Sequence, residues 1–211
     1  AIHHMICKGF TREETEYALI DLNFLGVHNL LLLRGDEKKL QPDQLAGNVN
    51  SYATDLQNQI NDFNRGVSID GSAFDAFETP FSYGMACYPE KHAEAPDIES
   101  DIRYAKMKVD NGAEYLVTQM FFDNSKYFSF VDRCRAEGIN VPIIPGIKPV
   151  VLMNQLTVLP KIFGSDIPEE LASELRKCKT DADSVEVGIE WGIKQCRELI
   201  SYGIPSIHFY S

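Results

Sequence analysis

The chain has 211 residues, 44% hydrophobic and 24% charged, with a net charge of −11. That length makes one domain, or a large piece of one, with enough chain to bury a core without staples. The acidic balance argues against a nucleic-acid partner, whose phosphates want a basic face, and no apolar run approaches the roughly 18 residues of a membrane span.

In chain order, the run His4-Met5-Ile6-Cys7 reads as a strand. Thr11 to Glu14 forms a capping box, with Thr11 at the N-cap and Glu14 at N3. Ala18, Leu19, Leu22 and Leu25 then give one apolar helical face, which Gly26 ends. A strand from Asn29 to Leu33 closes in Arg34-Gly35-Asp36. The polar stretch Glu37 to Asn50 is long for a βα loop and is expected to be a lid or binding loop. Tyr52 to Phe63 has helical spacing, with Leu56, Ile60 and Phe63 on one side. Residues 65–80 break the rhythm: Val67 to Ser72 fits a small hairpin with Asp70-Gly71 in the turn, and the stretch is read as a surface insertion.

The strand at 82–88 leads into Pro89-Glu90, and a helix follows from Ile98 to Asn111. Next come a strand at Tyr115–Gln119, a helix at 125–137 that stops at Gly138, and a strand at Val141–Ile144 that stops at Pro145-Gly146. Two helical stretches at 152–163 and 168–202 precede the final strand at 206–210, and Asp181 to Ser184 is expected to break the second.

Strands and helices therefore alternate throughout, which points to a parallel α/β architecture. Six such units average about 35 residues, and eight would need about 280, near the roughly 250 of a (βα)8 barrel. The expected fold is a (βα)8 TIM barrel in a single, partial catalytic domain spanning 1–211, with its first two βα units absent from this sequence. A doubly wound open sheet is the alternative, but it would normally carry a GxGxxG turn after an early strand, and none is present. In a barrel, chemistry gathers where strands end. The five cysteines (Cys7, Cys87, Cys134, Cys178, Cys196) show neither CxxC nor zinc spacing, and their scatter fits a reducing compartment.

Six motifs occur in order at these strand ends: His4-x-x-Cys7, Leu33-Arg34-Gly35-Asp36, Tyr88-Pro89-x-x-His92-x-Glu94-Ala95, Thr118-Gln119-x-Phe121-Phe122-Asp123, Ile143-Ile144-Pro145-Gly146-Ile147-x-Pro149 and His208-Phe209-Tyr210. Together they resemble the methylenetetrahydrofolate reductase family, from His4 to Tyr210. The resemblance implies a barrel with non-covalent FAD at the strand carboxyl ends. It also implies a ping-pong reaction, in which NADH or NADPH reduces the flavin and 5,10-methylenetetrahydrofolate then receives the hydride, giving 5-methyltetrahydrofolate. A cytoplasmic homo-oligomer serving methionine synthesis, with no nucleic-acid or membrane partner, is expected.

By the same resemblance Asp36 lies near flavin and pterin, where a carboxylate would stabilise the cationic iminium formed as the methylene bridge opens. On sequence alone an Asp after Gly is as readily a turn residue. Gln119 would serve both folate and nicotinamide, since an amide both donates and accepts; unaided, it reads equally as a structural strand-end amide. Asp101 and Lys108 lie seven apart on one helical face, where a solvated stripe is the plain reading; the resemblance assigns Asp101 to the flavin ribityl chain and Lys108 to the diphosphate. Tyr104 and Met107 stand where relatives often carry polar or basic residues. His4, Arg34, Gly35, Tyr52, Ala86, Tyr88 and His92 match other flavin-pocket positions, and Gln155 and Tyr210 match folate or nicotinamide contacts. Leu159 replaces an aromatic cover found in some relatives. No metal is expected.

The family's general-acid Glu maps before Ala1. Its absence from this sequence motivates a second reading, a flavin- or folate-binding barrel without full turnover. A third is a pterin-dependent methyltransferase.

Overall fold

The computed structural model describes residues 2–35 and 48–210. The chain divides into two compact units, residues 1–86 with 108–115, and residues 87–107 with 116–211.

The first unit contains β1 (His3–Ile6), α1 (Arg12–Phe24), β2 (Asn29–Leu33), α2 (Ala53–Asn64) and most of β3 (Ser82–Cys87). β1 pairs parallel with β2, and β2 with β3, so neighbours follow chain order. Leu30, Leu31 and Leu32 are all buried, as in a strand covered on both faces, which explains an unbroken apolar run instead of an alternating one. α1 starts as its sequence dictates. Thr11 Oγ1 accepts from the Glu14 amide at 3.1 Å, and Glu14 Oε2 accepts from the Thr11 amide at 2.7 Å. Leu19 is buried, but Leu25 is 70% exposed. Leu25 is the C-cap, with Gly26 turning the chain at φ +72°, so it leaves the face that the apolar spacing assigned to it.

The stretch at 65–80 makes one antiparallel bridge, Val67 to Ala73, with Gly71 at φ +84° in its turn. It does not extend into a longer hairpin. Phe74 and Phe77 instead pack on the buried ring of Phe63 in α2, at 5.1 and 5.4 Å between centroids. The Glu16 carboxylate accepts from Ser68 Oγ and the Ile69 amide, each at 2.8 Å. Gly84 in β3 has no room for a Cβ, because the Tyr115 ring lies 2.1 Å from where it would stand. That ring's hydroxyl donates to the Leu30 carbonyl at 2.7 Å.

The second unit holds most of α3 (Ile98–Asp110) and of β4 (Tyr115–Met120). It also holds α4 (Asn124–Ala136), β5 (Ile143–Ile147), α5 (Gln155–Phe163), α6 (Glu169–Lys177), α7 (Asp181–Tyr202) and β6 (His208–Phe209). β4, β5 and β6 are parallel neighbours in that order. β5 continues through Pro145-Gly146, where the sequence suggested it would stop. The β4–β5 register breaks between Val117 and Met120, so the missing Pro145 N–H falls where no ladder bond is required. The Gly146 amide donates to Thr118 Oγ1 at 2.8 Å. The long helical stretch does break, but at residues 178–180. Thr180 then caps α7 by accepting from the Asp183 amide at 3.2 Å. The core of this unit includes Met120, Phe122, Val150, Leu159, Leu171 and Leu175. Leu159 is thus a packing residue. Among the described residues no helix is long and apolar enough to cross a membrane.

Gly188 in α7 lies so close to Val150 that a Cβ would stand 1.9 Å from the Val150 carbonyl oxygen. Ala is worth about 1 kcal/mol more than Gly inside a helix, but overpacking against backbone costs about 3 kcal/mol. Gly188→Ala is therefore expected to lower stability by about 2 kcal/mol net, measured as a fall in the urea midpoint at unchanged m-value.

Candidate functional site

In the first unit, residues at and after the strand ends fall into two contacts. Arg34 and Gly35 directly follow β2. The Arg34 guanidinium lies 5.3 Å from the Tyr52 ring centroid, a cation–π geometry. Tyr52 is the N-cap of α2 and 57% exposed, and Asp55 holds it there by accepting from the Ser51 and Tyr52 amides at 3.0 and 2.9 Å. Gly35 has φ +87°, a conformation that side chains resist. The second contact joins Lys108 to the end of β3, where its Nζ donates to the Ala86 carbonyl at 2.7 Å. His4 lies within β1 opposite Leu31 and is exposed; it does not stand at a strand end. Asp36 and nearly all of the anticipated lid, up to residue 47, lie outside the described residues.

The second unit groups four expected residues. Tyr88 follows β3, and its ring meets that of His92 edge-on at 4.6 Å. Asp101, only 7% exposed in the first turn of α3, accepts from the His92 amide at 2.5 Å. The plain reading of Asp101 and Lys108 as a solvated stripe therefore fails, since each side chain bonds backbone. By contrast Tyr104 and Met107 on the same helix are 52% and 56% exposed. Gln119 sits in the irregular part of β4, with its Oε1 accepting from the Met120 amide at 2.9 Å. It shares with Tyr88 a small cavity of about 10 Å³, also lined by Glu90, Lys91, Phe163 and Ser165. A larger open groove of about 620 Å³ along α7, lined by residues such as Ile193, Lys194 and Arg197, holds none of the expected residues.

Gln155 and Tyr210 are structural ties in this structure. Gln155 Oε1 accepts from the Val151 and Leu152 amides at 2.7 and 3.0 Å, closing the turn that starts α5. The Tyr210 hydroxyl donates to the Thr118 carbonyl at 2.8 Å, and burial pushes its pKa well above the ordinary phenol value.

Two residues of the β3 exit carry features that no spacing announces. Lys91 has φ +85°, alone among the described non-glycine residues in being positive, which costs about 1–3 kcal/mol. Its Nζ donates to the His92 and Ala95 carbonyls at 3.1 and 2.7 Å, holding the turn closed. The Glu90 side chain is only 10% exposed. Burial raises its pKa, against the Asp166 amide and Lys126, which lower it. Lys126 is also raised. Burial works to lower it, but the carboxylates of Asp166 and Glu90 outweigh that effect. Both partners shift upward, for different reasons: burial dominates at the more deeply buried Glu90, and the neighbouring carboxylates dominate at Lys126. The only sequence signal for either residue is a charged pair directly after a strand-ending Pro.

Taken one at a time, these groups have chemistry compatible with parts of a flavin dinucleotide. A lysine is a point charge suited to phosphate, and a carboxylate with one oxygen already bonded keeps acceptor capacity for hydroxyls. Among the described residues no cluster of His, Cys, Asp and Glu could hold a metal ion.

A family model described as methylenetetrahydrofolate reductase matches residues 1–211. The chain is 35% identical over 210 residues to methylenetetrahydrofolate reductase 1 of Schizosaccharomyces pombe, covering 99% of this chain and 32% of the relative. It is 31% identical over 212 residues to 5,10-methylenetetrahydrofolate reductase of Escherichia coli, covering all of this chain and 65% of that protein. The chain thus spans about a third of the eukaryotic relative and less than two thirds of the bacterial one. A solved structure of a Clostridium thermocellum protein, described as binding two copies of 5-methyl-5,6,7,8-tetrahydrofolic acid, matches with a TM-score of 0.58 at 17% identity, covering 99% of this chain and 64% of that one. That likeness is one of fold, and it bears out the α/β, TIM-barrel class read from the strand–helix alternation. With the family model matching residues 1–211, the chain belongs to the methylenetetrahydrofolate reductase family.

Proposed function

We propose that the protein containing this chain reduces 5,10-methylenetetrahydrofolate to 5-methyltetrahydrofolate with NADH or NADPH, using bound FAD. The observation that carries this reading is the grouping of Tyr88, His92 and Asp101, with Gln119 lining a cavity beside Tyr88, in a chain that matches the family throughout. When bound, the flavin would supply the two-electron relay between nicotinamide and folate in a ping-pong sequence.

The roles of this chain's residues follow from their chemistry. Lys108, fixed by the Ala86 carbonyl, would meet the diphosphate, and Asp101, fixed by the His92 amide, would accept from the ribityl hydroxyls. Arg34, Gly35, Tyr52, Ala86, Tyr88, His92 and His4 would complete the flavin surround, with Ala86 acting through its small size. Gln119 would orient in turn the two substrates that visit one place. Asp36 would favour the cationic form of the opening folate. A charge pair at 4 Å is worth about 4 kcal/mol at an effective dielectric of 20, against about 1 in water, so this role needs a site that excludes solvent. Gln155 and Tyr210 would contribute to the folate or nicotinamide surface beside their structural bonds. The five unlinked thiols support a cytoplasmic location. Burial pushes Cys7 up to about 11 and Cys134 up to about 12, which keeps both unreactive.

The full-length protein is expected to purify yellow, to bleach anaerobically with NADH or NADPH, and to regain colour on adding methylenetetrahydrofolate. A colourless protein that does not take up added FAD would refute the reading. Lys108→Ala is expected to loosen FAD about tenfold, a loss of about 1.4 kcal/mol, read by equilibrium dialysis; unchanged retention would remove Lys108 from the site. Gln119→Ala is expected to slow both half-reactions by about fivefold to tenfold, the worth of one hydrogen bond, in stopped-flow absorbance. An effect on neither would leave Gln119 with its structural bond alone.

A further inference from the structure

The segment leaving α5 is pinned at two points within the second unit. Gly164 turns the chain at φ +69°. Ser165, 2% exposed, then donates from Oγ to the Met120 carbonyl at 3.0 Å, directly beside Gln119. The next residue, Asp166, donates its amide to both oxygens of Glu90, at 3.2 and 3.4 Å. Lys126 of α4 bridges the pair from outside, 3.6 Å from Glu90 and 3.3 Å from Asp166. Lys126 is 40% exposed, so solvent screens its contribution, and the direct bond from the exposed Asp166 amide to the Glu90 carboxylate is the main tie. The opposite end of α5 carries Gln155. Leu159 in the middle of the helix is buried in the same cluster as Met120. The position of α5 relative to the end of β4 therefore depends on its buried middle and on the tie at its exit.

We propose that Glu90 is a positioning residue for the folate substrate: by holding the Asp166 amide it fixes the exit of α5 against the strand end that carries Gln119, and so sets where Gln155 stands. This deepens the reductase reading and rests on it. The strained Lys91 beside Glu90 fits the same role, because a turn held in that conformation directs the preceding carboxylate inward to the cavity it lines.

The test uses the full-length flavoprotein and three variants. Glu90→Ala is expected to raise the KM for methylenetetrahydrofolate about tenfold. Its kcat and its rate of flavin reduction by pyridine nucleotide should stay within about twofold. Hydrogen exchange in peptides covering residues 163–168 should speed up about tenfold without any folate present. Glu90→Gln keeps an oxygen acceptor for the Asp166 amide, so it is expected to restore both KM and exchange to near wild type. Ser165→Ala removes the neighbouring pin and is expected to move KM and exchange in the same direction, which keeps the test decisive if Glu90→Ala does not fold. Unchanged folate KM in Glu90→Ala, or in Ser165→Ala where the first fails to fold, would overturn the proposal. So would a Glu90→Gln variant as impaired as Glu90→Ala, and so would unaltered exchange at 163–168. If wild type reduces its flavin yet never turns over folate, the reductase reading fails by itself, and the exchange experiment still judges the tie.

Discussion

Thr118 meets two demands that the interrupted β4–β5 ladder creates. Its Oγ1 takes the Gly146 amide, and its carbonyl takes the Tyr210 hydroxyl. Gly146 must lack a side chain here, since a Cβ would stand 2.3 Å from that same carbonyl oxygen and 2.6 Å from the Tyr210 ring. Buried backbone groups need partners, so a register break at this depth is tolerated only because one threonine and one tyrosine replace the missing ladder bonds. The next residue along, Gln119, owes its place beside the cavity to that break.

The same economy recurs at other candidate positions. Asp101 holds the His92 amide, Lys108 the Ala86 carbonyl, and Gln155 the two amides before α5. A structural and a functional reading of such residues therefore do not compete. A side chain fixed by one backbone bond is already oriented before any ligand arrives, and less conformational entropy remains to be lost on binding. Carboxylate and ammonium groups suit this double duty because each has more bonding sites than one tie consumes.

Much of this was legible in the chain itself. Thr11 with Glu14 marked the start of α1, the apolar run from Asn29 to Leu33 marked a strand, and Gly26 marked a helix end, because each depends on local chemistry within a few residues. The errors lie where distant partners decide. Pro145 looked like a strand terminator, but the irregular partner strand removed the need for its N–H. The break in the long helical stretch came a few residues early because Thr180 made the better cap. Leu159 stands where some relatives carry an aromatic cover, and here it packs in the core. Glu90 was visible only as the polar end of a strand run, without a role, because its partner amide is 76 residues away and nothing in Pro-Glu-Lys announces that meeting. Asp36, the residue on which sequence reasoning leaned most, lies outside the described residues.

The bond between Tyr210 and Thr118 has a further consequence. Burial favours the neutral phenol in the folded chain, so the hydroxyl remains a donor across the whole acid and neutral range. Its contribution to stability is complete below the ordinary phenol pKa of about 10 and drains away only as alkalinity rises past that value. The final strand is therefore fastened by a clasp that acidification leaves shut and only strong base can open.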